Sequence, residues 1–87
     1  KGLIGSDGTH GLSFKTRFGI HTFGMSFPID VLILDKIHRV VKYRKNLEPN
    51  HFFFWSPIYS RVVEIPSTLM HDEIIQIGDR VELKKSI

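Results

Sequence analysis

Five histidines, at positions 10, 21, 38, 51 and 71, are the first residues in this chain that could do chemistry. Metal ligands drawn from one strand or one helix face recur at short spacings, and no two of these histidines stand so close. His21 and Met25 would offer an imidazole and a soft thioether to copper, but two ligands four residues apart make an incomplete set, and Met25 reads as a packing residue. The segment Gly24-Met25-Ser26-Phe27-Pro28 approaches the G-x-S-x-G nucleophile elbow. It has Pro28 in place of the last glycine and leads into a strand rather than a helix, so Ser26 is not expected to be a nucleophile. Asp30 and Asp35 are an odd number of residues apart, which points them to opposite faces of a strand and does not make a carboxylate pair.

What remains is a polar trio, His21, Thr22 and Asp30, beside the most apolar stretch of the chain. A carboxylate at the entry of such a stretch must find hydrogen-bond partners or stay at the rim. One reading has Asp30 bonded to backbone N–H groups or to a basic side chain. The other has it at the mouth of a barrel, orienting His21 as an acid or base. Lys36, His38, Arg39, Lys42, Arg44 and Lys45 fall within ten positions. They read as a solvated strand face, with Arg39, Lys42, Arg44 and Lys45 as a candidate phosphate-contacting surface. With the run HFFFW at 51–55 as a stacking platform, this basic strand raises a nucleic-acid-binding reading. Consecutive Phe52, Phe53 and Phe54 cannot all share one strand face, however, and the net charge is only +3.

Eighty-seven residues make one domain, spanning 1–87. A 41% hydrophobic content with seven Phe, one Trp and two Tyr suffices for a core. The absence of cysteine excludes disulfides, a thiolate nucleophile and Cys-ligated metals, and leaves the compartment open. No apolar stretch reaches the roughly 18 residues of a membrane-spanning helix, and the start lacks a signal-peptide layout. The cytoplasm is the default location, with export an option if a leader precedes Lys1.

The elements that must position these residues are short strands. Gly2, Gly5, Gly8 and Gly11 mark a turn-rich start without the lysine of a phosphate loop. Residues 11–14 and 18–23 read as strands joined by a hairpin-type connection at 15–17. Residues 29–34 are apolar on both faces, which predicts the centre of a sheet, and Pro28 fits only at its start. A hairpin turn at 35–38 should lead to a strand at 39–45, although Lys36-Ile37 replaces the favoured Asn-Gly or Asp-Gly. Residues 51–55 read as a buried strand, with an exposed aromatic patch as the alternative that periodicity does not separate from it, 58–65 as a helical turn passing into a strand, and 69–75 as one helical turn. A Gly78-Asp79 turn should precede a last strand at 80–84. The expected fold is mainly β: a small antiparallel barrel or rolled sheet of about six short strands with at most one or two helical turns.

The run from Ile20 to Asp35, IHTFGMSFPIDVLILD, resembles the signature of the DUF192 family of small bacterial and archaeal domains. Gly2-Leu3-Ile4-Gly5 is similar to that family's opening GLxG segment, and Gly11-Leu12 to its second glycine-led strand. Leu47-x-Pro49, Val63-Glu64-Ile65-Pro66 and Ile77-Gly78-Asp79-Arg80-Val81 resemble its later break, its LELP strand and its terminal GD turn. The chain departs from the pattern at Ser67-Thr68, where the family has glycine, and at Ile37-His38, where it has an Asp-Gly type turn. The resemblance implies a compact β-rich domain and supplies no activity, cofactor or catalytic residue. The reading that follows is a non-enzymatic domain binding another protein or a small ligand through His21, Thr22 and Asp30, with no cofactor. An enzyme using His21 and Asp30, and a single-stranded nucleic-acid-binding barrel, are the alternatives.

Overall fold

In a computed structural model, residues 3–4, 12–70 and 73–83 are described. The glycine-rich start, His10 and His71 lie outside them. Eight strands follow in chain order: β1 (Leu3–Ile4), β2 (Leu12–Lys15), β3 (Gly19–His21), β4 (Ile29–Leu34), β5 (Val40–Leu47), β6 (Phe52–Phe54), β7 (Arg61–Pro66) and β8 (Glu82–Leu83). A single 3-10 turn, Ser67–Met70, follows β7. The predicted helical turn near residue 58 is absent, and the one predicted at 69–75 is this earlier, tighter turn. No helix among the described residues is long and apolar enough to cross a membrane.

Six of the strands form two antiparallel sheets, a four-stranded sheet in the order β2-β7-β4-β5 and a two-stranded ribbon of β3 and β6. This is a rolled sheet and not a closed barrel, because among the described residues β2 and β5, at the two ends of the strand order, do not pair with each other. Two further points differ from the sequence reading. β2 pairs with β7 and β3 with β6, so residues 12–21 do not form a hairpin. β1 and β8 pair in parallel, which the long chain separation between them allows.

β4 is central and buried along its whole length, as its two-faced apolar pattern requires. Ile29, Val31 and Ile33 pack with Leu47, Phe53, Trp55 and Val62 under the ribbon. Leu32 and Leu34, on the opposite face, pack with Val63, Ile65, Met70, Ile75 and Val81. The sheet is therefore a middle layer, with the β3–β6 ribbon on one side and the 3-10 turn and the C-terminal segment on the other.

The β4–β5 hairpin forms without an Asp-Gly turn because Asp35 and His38 together do that work. One Asp35 carboxylate oxygen accepts from the Ile37 N–H at 3.0 Å and the Arg39 N–H at 2.9 Å. His38 takes the left-handed backbone conformation, φ 65°, that glycine would otherwise supply. The Gly78-Asp79 turn docks on the same corner, with the Val40 carbonyl accepting from the Gly78 N–H at 2.7 Å.

Candidate functional site

Two facts of local chemistry build the ribbon's outer surface. Strand side chains alternate, and the register sets Gly19 opposite Phe54, Ile20 opposite Phe53 and His21 opposite Phe52. Ile20 and Phe53 therefore turn inward to the core beside Trp55. His21, Phe52 and Phe54 turn outward, and Phe52 and Phe54 are 56% and 62% exposed. The predicted buried run HFFFW is thus split, with Phe53 and Trp55 in the core and the other two phenylalanines at the surface.

The outward rings touch one another. Phe52 stacks on Phe54 with centroids 5.7 Å apart and planes 11° from parallel. Phe23 meets Phe52 edge to face at 4.9 Å, and the His21 ring lies 4.9 Å from Phe23 and 6.3 Å from Phe52. His21 Nδ1 accepts from the Phe23 N–H at 3.3 Å, which fixes the turn that carries Phe23. Gly19 makes the close packing of Phe54 possible. A Cβ there would lie 2.6 Å from both the Phe53 carbonyl oxygen and Phe54 Cδ1. Gly19→Ala must push the ribbon strands apart, and a loss of about 1–2 kcal/mol is expected in denaturant melts.

Thr22 is fully buried and acts as a clamp. Its hydroxyl donates to the Glu48 carbonyl at 2.7 Å and accepts from the His51 N–H at 2.9 Å. Its own carbonyl accepts from the N–H groups of Met25 and Asn50. It holds the turn before β6 against the turn after β3 and so positions His21, Phe23 and Phe52.

Asp30 is also fully buried. One carboxylate oxygen accepts from the Asn46 N–H at 3.0 Å and the Ser67 hydroxyl at 2.6 Å, and the other from the Tyr43 hydroxyl at 2.6 Å. The pairing of β4 with β5 slips between Ile29 and Val31, and Asn46 in that bulge has φ 58°. The bulge turns the Asn46 N–H onto the carboxylate. Burial, followed by this hydrogen bond to Asp30, pushes the Tyr43 hydroxyl well above its ordinary pKa of 10.0. Glu64 on β7 is likewise raised by burial.

The predicted trio is therefore divided. Asp30 shares a β4 face with Leu32 and Leu34, whereas His21 lies on the outside of the ribbon that covers the other face, so the sheet separates the pair. An acid–base couple of His21 and Asp30 is not assembled. Of the three, His21 alone reaches the surface. The basic strand is also divided. Lys42 donates to the Phe54 carbonyl at 3.2 Å and lies 5.2 Å from the Phe53 ring centroid, tying β5 to the ribbon. Lys45 lines a shallow cleft with Pro28 and Ser67, and Arg39 pairs across a bridge with Arg80. Arg44, opposite Val31 in the register, shares the ribbon-side face with Lys42. No group of three His, Asp or Glu able to hold a metal occurs among the described residues, and Met25 packs in the core beneath the ribbon.

Sequence reasoning missed Phe23, and it preferred the buried reading over the exposed one for Phe52 and Phe54. Their signal was the same-parity spacing of Phe52 and Phe54, whose outward face only the pairing with β3 reveals. Comparison of the chain with protein-family models, with curated proteins and with solved structures gives no significant match.

Proposed function

We propose that this chain is a non-enzymatic binding domain of DUF192-like type that receives an apolar segment of a protein partner on the outer face of the β3–β6 ribbon. The observation that carries the reading is the contiguous exposed set of rings, His21, Phe23, Phe52 and Phe54, on a ribbon whose other face is locked into the core. A clustered apolar surface of this kind marks an interaction site, and aromatic residues dominate the cores of protein interfaces. Gly19 and the Thr22 clamp hold the rings in place before any partner arrives, which lowers the ordering cost of binding.

Single-stranded nucleic acid is the second reading, supported by the stacked Phe52 and Phe54 beside Lys42 and Arg44. Base stacking needs an open ring face. Here Phe52 already stacks on Phe54 and is contacted by Phe23 and His21, and Lys42 is engaged by the Phe54 carbonyl. Both facts favour a protein partner.

The test places a photoreactive benzoyl-phenylalanine at position 52 in cells of the source organism, with position 74, also exposed, as control. A protein adduct is expected from position 52, absent from position 74 and lost when Phe23 and Phe54 are changed to serine. A nucleic-acid adduct, or equal protein adducts from both positions, overturns the reading.

A further inference from the structure

A second surface, sharing no residue with the ribbon rings, concentrates the charge of the chain. Where β2 ends and β7 begins, a cleft of about 710 Å³ opens at the end of the four-stranded sheet. Its volume lies within the roughly 300–1,000 Å³ of small-molecule sites. Lys15, Arg17, Lys36 and Arg61 line it, with Asp35 as the only carboxylate among the described residues. Setting these five apart from the 12 Lys and Arg and the 9 Asp and Glu of the chain leaves eight of each. The lining thus carries a formal charge of +3, equal to that of the whole chain.

The cations are not there to neutralise one another's surroundings. Lys15 stands directly opposite Arg61 in the β2–β7 register, an arrangement of like charges that destabilises a sheet. None of the four cations has an ion-pair partner among the described residues. Asp35 lines the cleft with one carboxylate oxygen held by the Ile37 and Arg39 N–H groups, and its single negative charge offsets one of the four cations. Four cations against one carboxylate, two of them directly opposed across the strands, is the arrangement expected of a site that receives an anion from outside.

The walls are apolar and fixed. Leu34, Ile37, Ile58 and Tyr59 line the cleft, and Ile58 is 76% exposed. The 56–60 loop is held by Trp55 Nε1 donating to the Tyr59 carbonyl at 2.7 Å, and by the Thr16 N–H donating to the Ser60 carbonyl at 2.9 Å. Two turns bordering the cleft carry left-handed non-glycine residues directly after a lining residue, Phe18 after Arg17 and His38 after Ile37. Such conformations cost free energy, sharply so for a bulky residue like phenylalanine, and they cluster at ligand sites.

We infer that this cleft binds a phosphate monoester carried on an apolar or aromatic body, with Arg17 and Arg61 gripping the phosphate and Ile58 covering the body. Phosphate is favoured over carboxylate because a dianion matches the +3 surroundings better than a monoanion does.

The test is an NMR titration of the ¹⁵N-labelled chain with phenyl phosphate, inorganic phosphate and benzoate, and sedimentation with vesicles containing phosphatidic acid. Phenyl phosphate is expected to shift the amides of residues 15–17, 34–37 and 58–61 saturably and more tightly than the other two small anions. Arg17→Gln and Arg61→Gln should each weaken it about tenfold, the loss of one charged hydrogen-bonding partner. Ile58→Ser should bring phenyl phosphate down to the level of inorganic phosphate and leave the latter unchanged. Vesicle binding that phenyl phosphate competes away identifies a lipid headgroup as the source, and phenyl phosphate binding without vesicle binding identifies a free monoester. Shifts spread over all basic residues, no saturable shift, benzoate binding as tightly as phenyl phosphate, or arginine variants that bind normally while retaining the native spectrum overturn the inference.

Discussion

Asp30→Ala is expected to lower the stability of this domain by about 4 kcal/mol, because it removes the shared, fully buried acceptor of three part-buried donors at once, at about 1–3 kcal/mol each before relaxation. These are the Tyr43 hydroxyl, the Asn46 N–H and the Ser67 hydroxyl. For a chain of this size the midpoint of thermal unfolding should fall by about 20 °C. Asp30→Asn keeps one acceptor and turns an amide donor toward the others, so it should lie between the alanine variant and the native chain. A loss below about 1 kcal/mol in urea melts of Asp30→Ala would show that water replaces the carboxylate without cost. Tyr43 reports on the same cluster through pH. Its folded pKa is raised, so the stability it contributes is fully present below its ordinary value of 10.0 and is lost as the pH rises beyond it. Tyr43→Phe should reduce that alkaline decline, and a difference in stability between pH 9 and pH 11 equal in both proteins would contradict the assignment.

Thr22→Val should cost about 2–3 kcal/mol, the second largest effect, since it preserves shape while removing a donor and an acceptor from a buried site. The His51 N–H and the Glu48 carbonyl lose their partner, and the turn that leads into β6 loses its attachment to β3. Hydrogen exchange at His51 should speed up more than at Val63 in the central sheet, because the opening is local. Thr22→Ser retains the hydroxyl and should stay close to the native chain. Equal destabilisation by serine and valine would assign the effect to the lost methyl group and not to the hydrogen bonds.

These two substitutions mark how far the site was legible. His21, Thr22 and Asp30 stood out because polar residues beside an apolar strand must be accounted for, and that logic holds for all three. It does not say whether the account is internal or external. A buried Asp30 with three donors and a surface carboxylate awaiting a ligand look alike along the chain, since Tyr43, Asn46 and Ser67 lie 13 to 37 residues away. The cleft cations were less legible still. Lys15 and Arg17 read as a connection and Arg61 as part of a strand, and only the β2–β7 register brings Lys15 opposite Arg61.

The strand 29–34, its central place and its hairpin with β5 followed from the residues themselves, because an apolar pattern on both faces has one stable solution, burial between two layers. So did the GD turn and the absence of any chemistry that needs cysteine. Which strands pair was decided only in three dimensions. Short β-strands carry little information about distant partners, and β2 and β3, neighbours in the chain, diverge to β7 and β6. That choice turned Phe52 and Phe54 outward, put Asp30 and His21 on opposite sides of the sheet, and brought Lys15 and Arg61 together at one cleft.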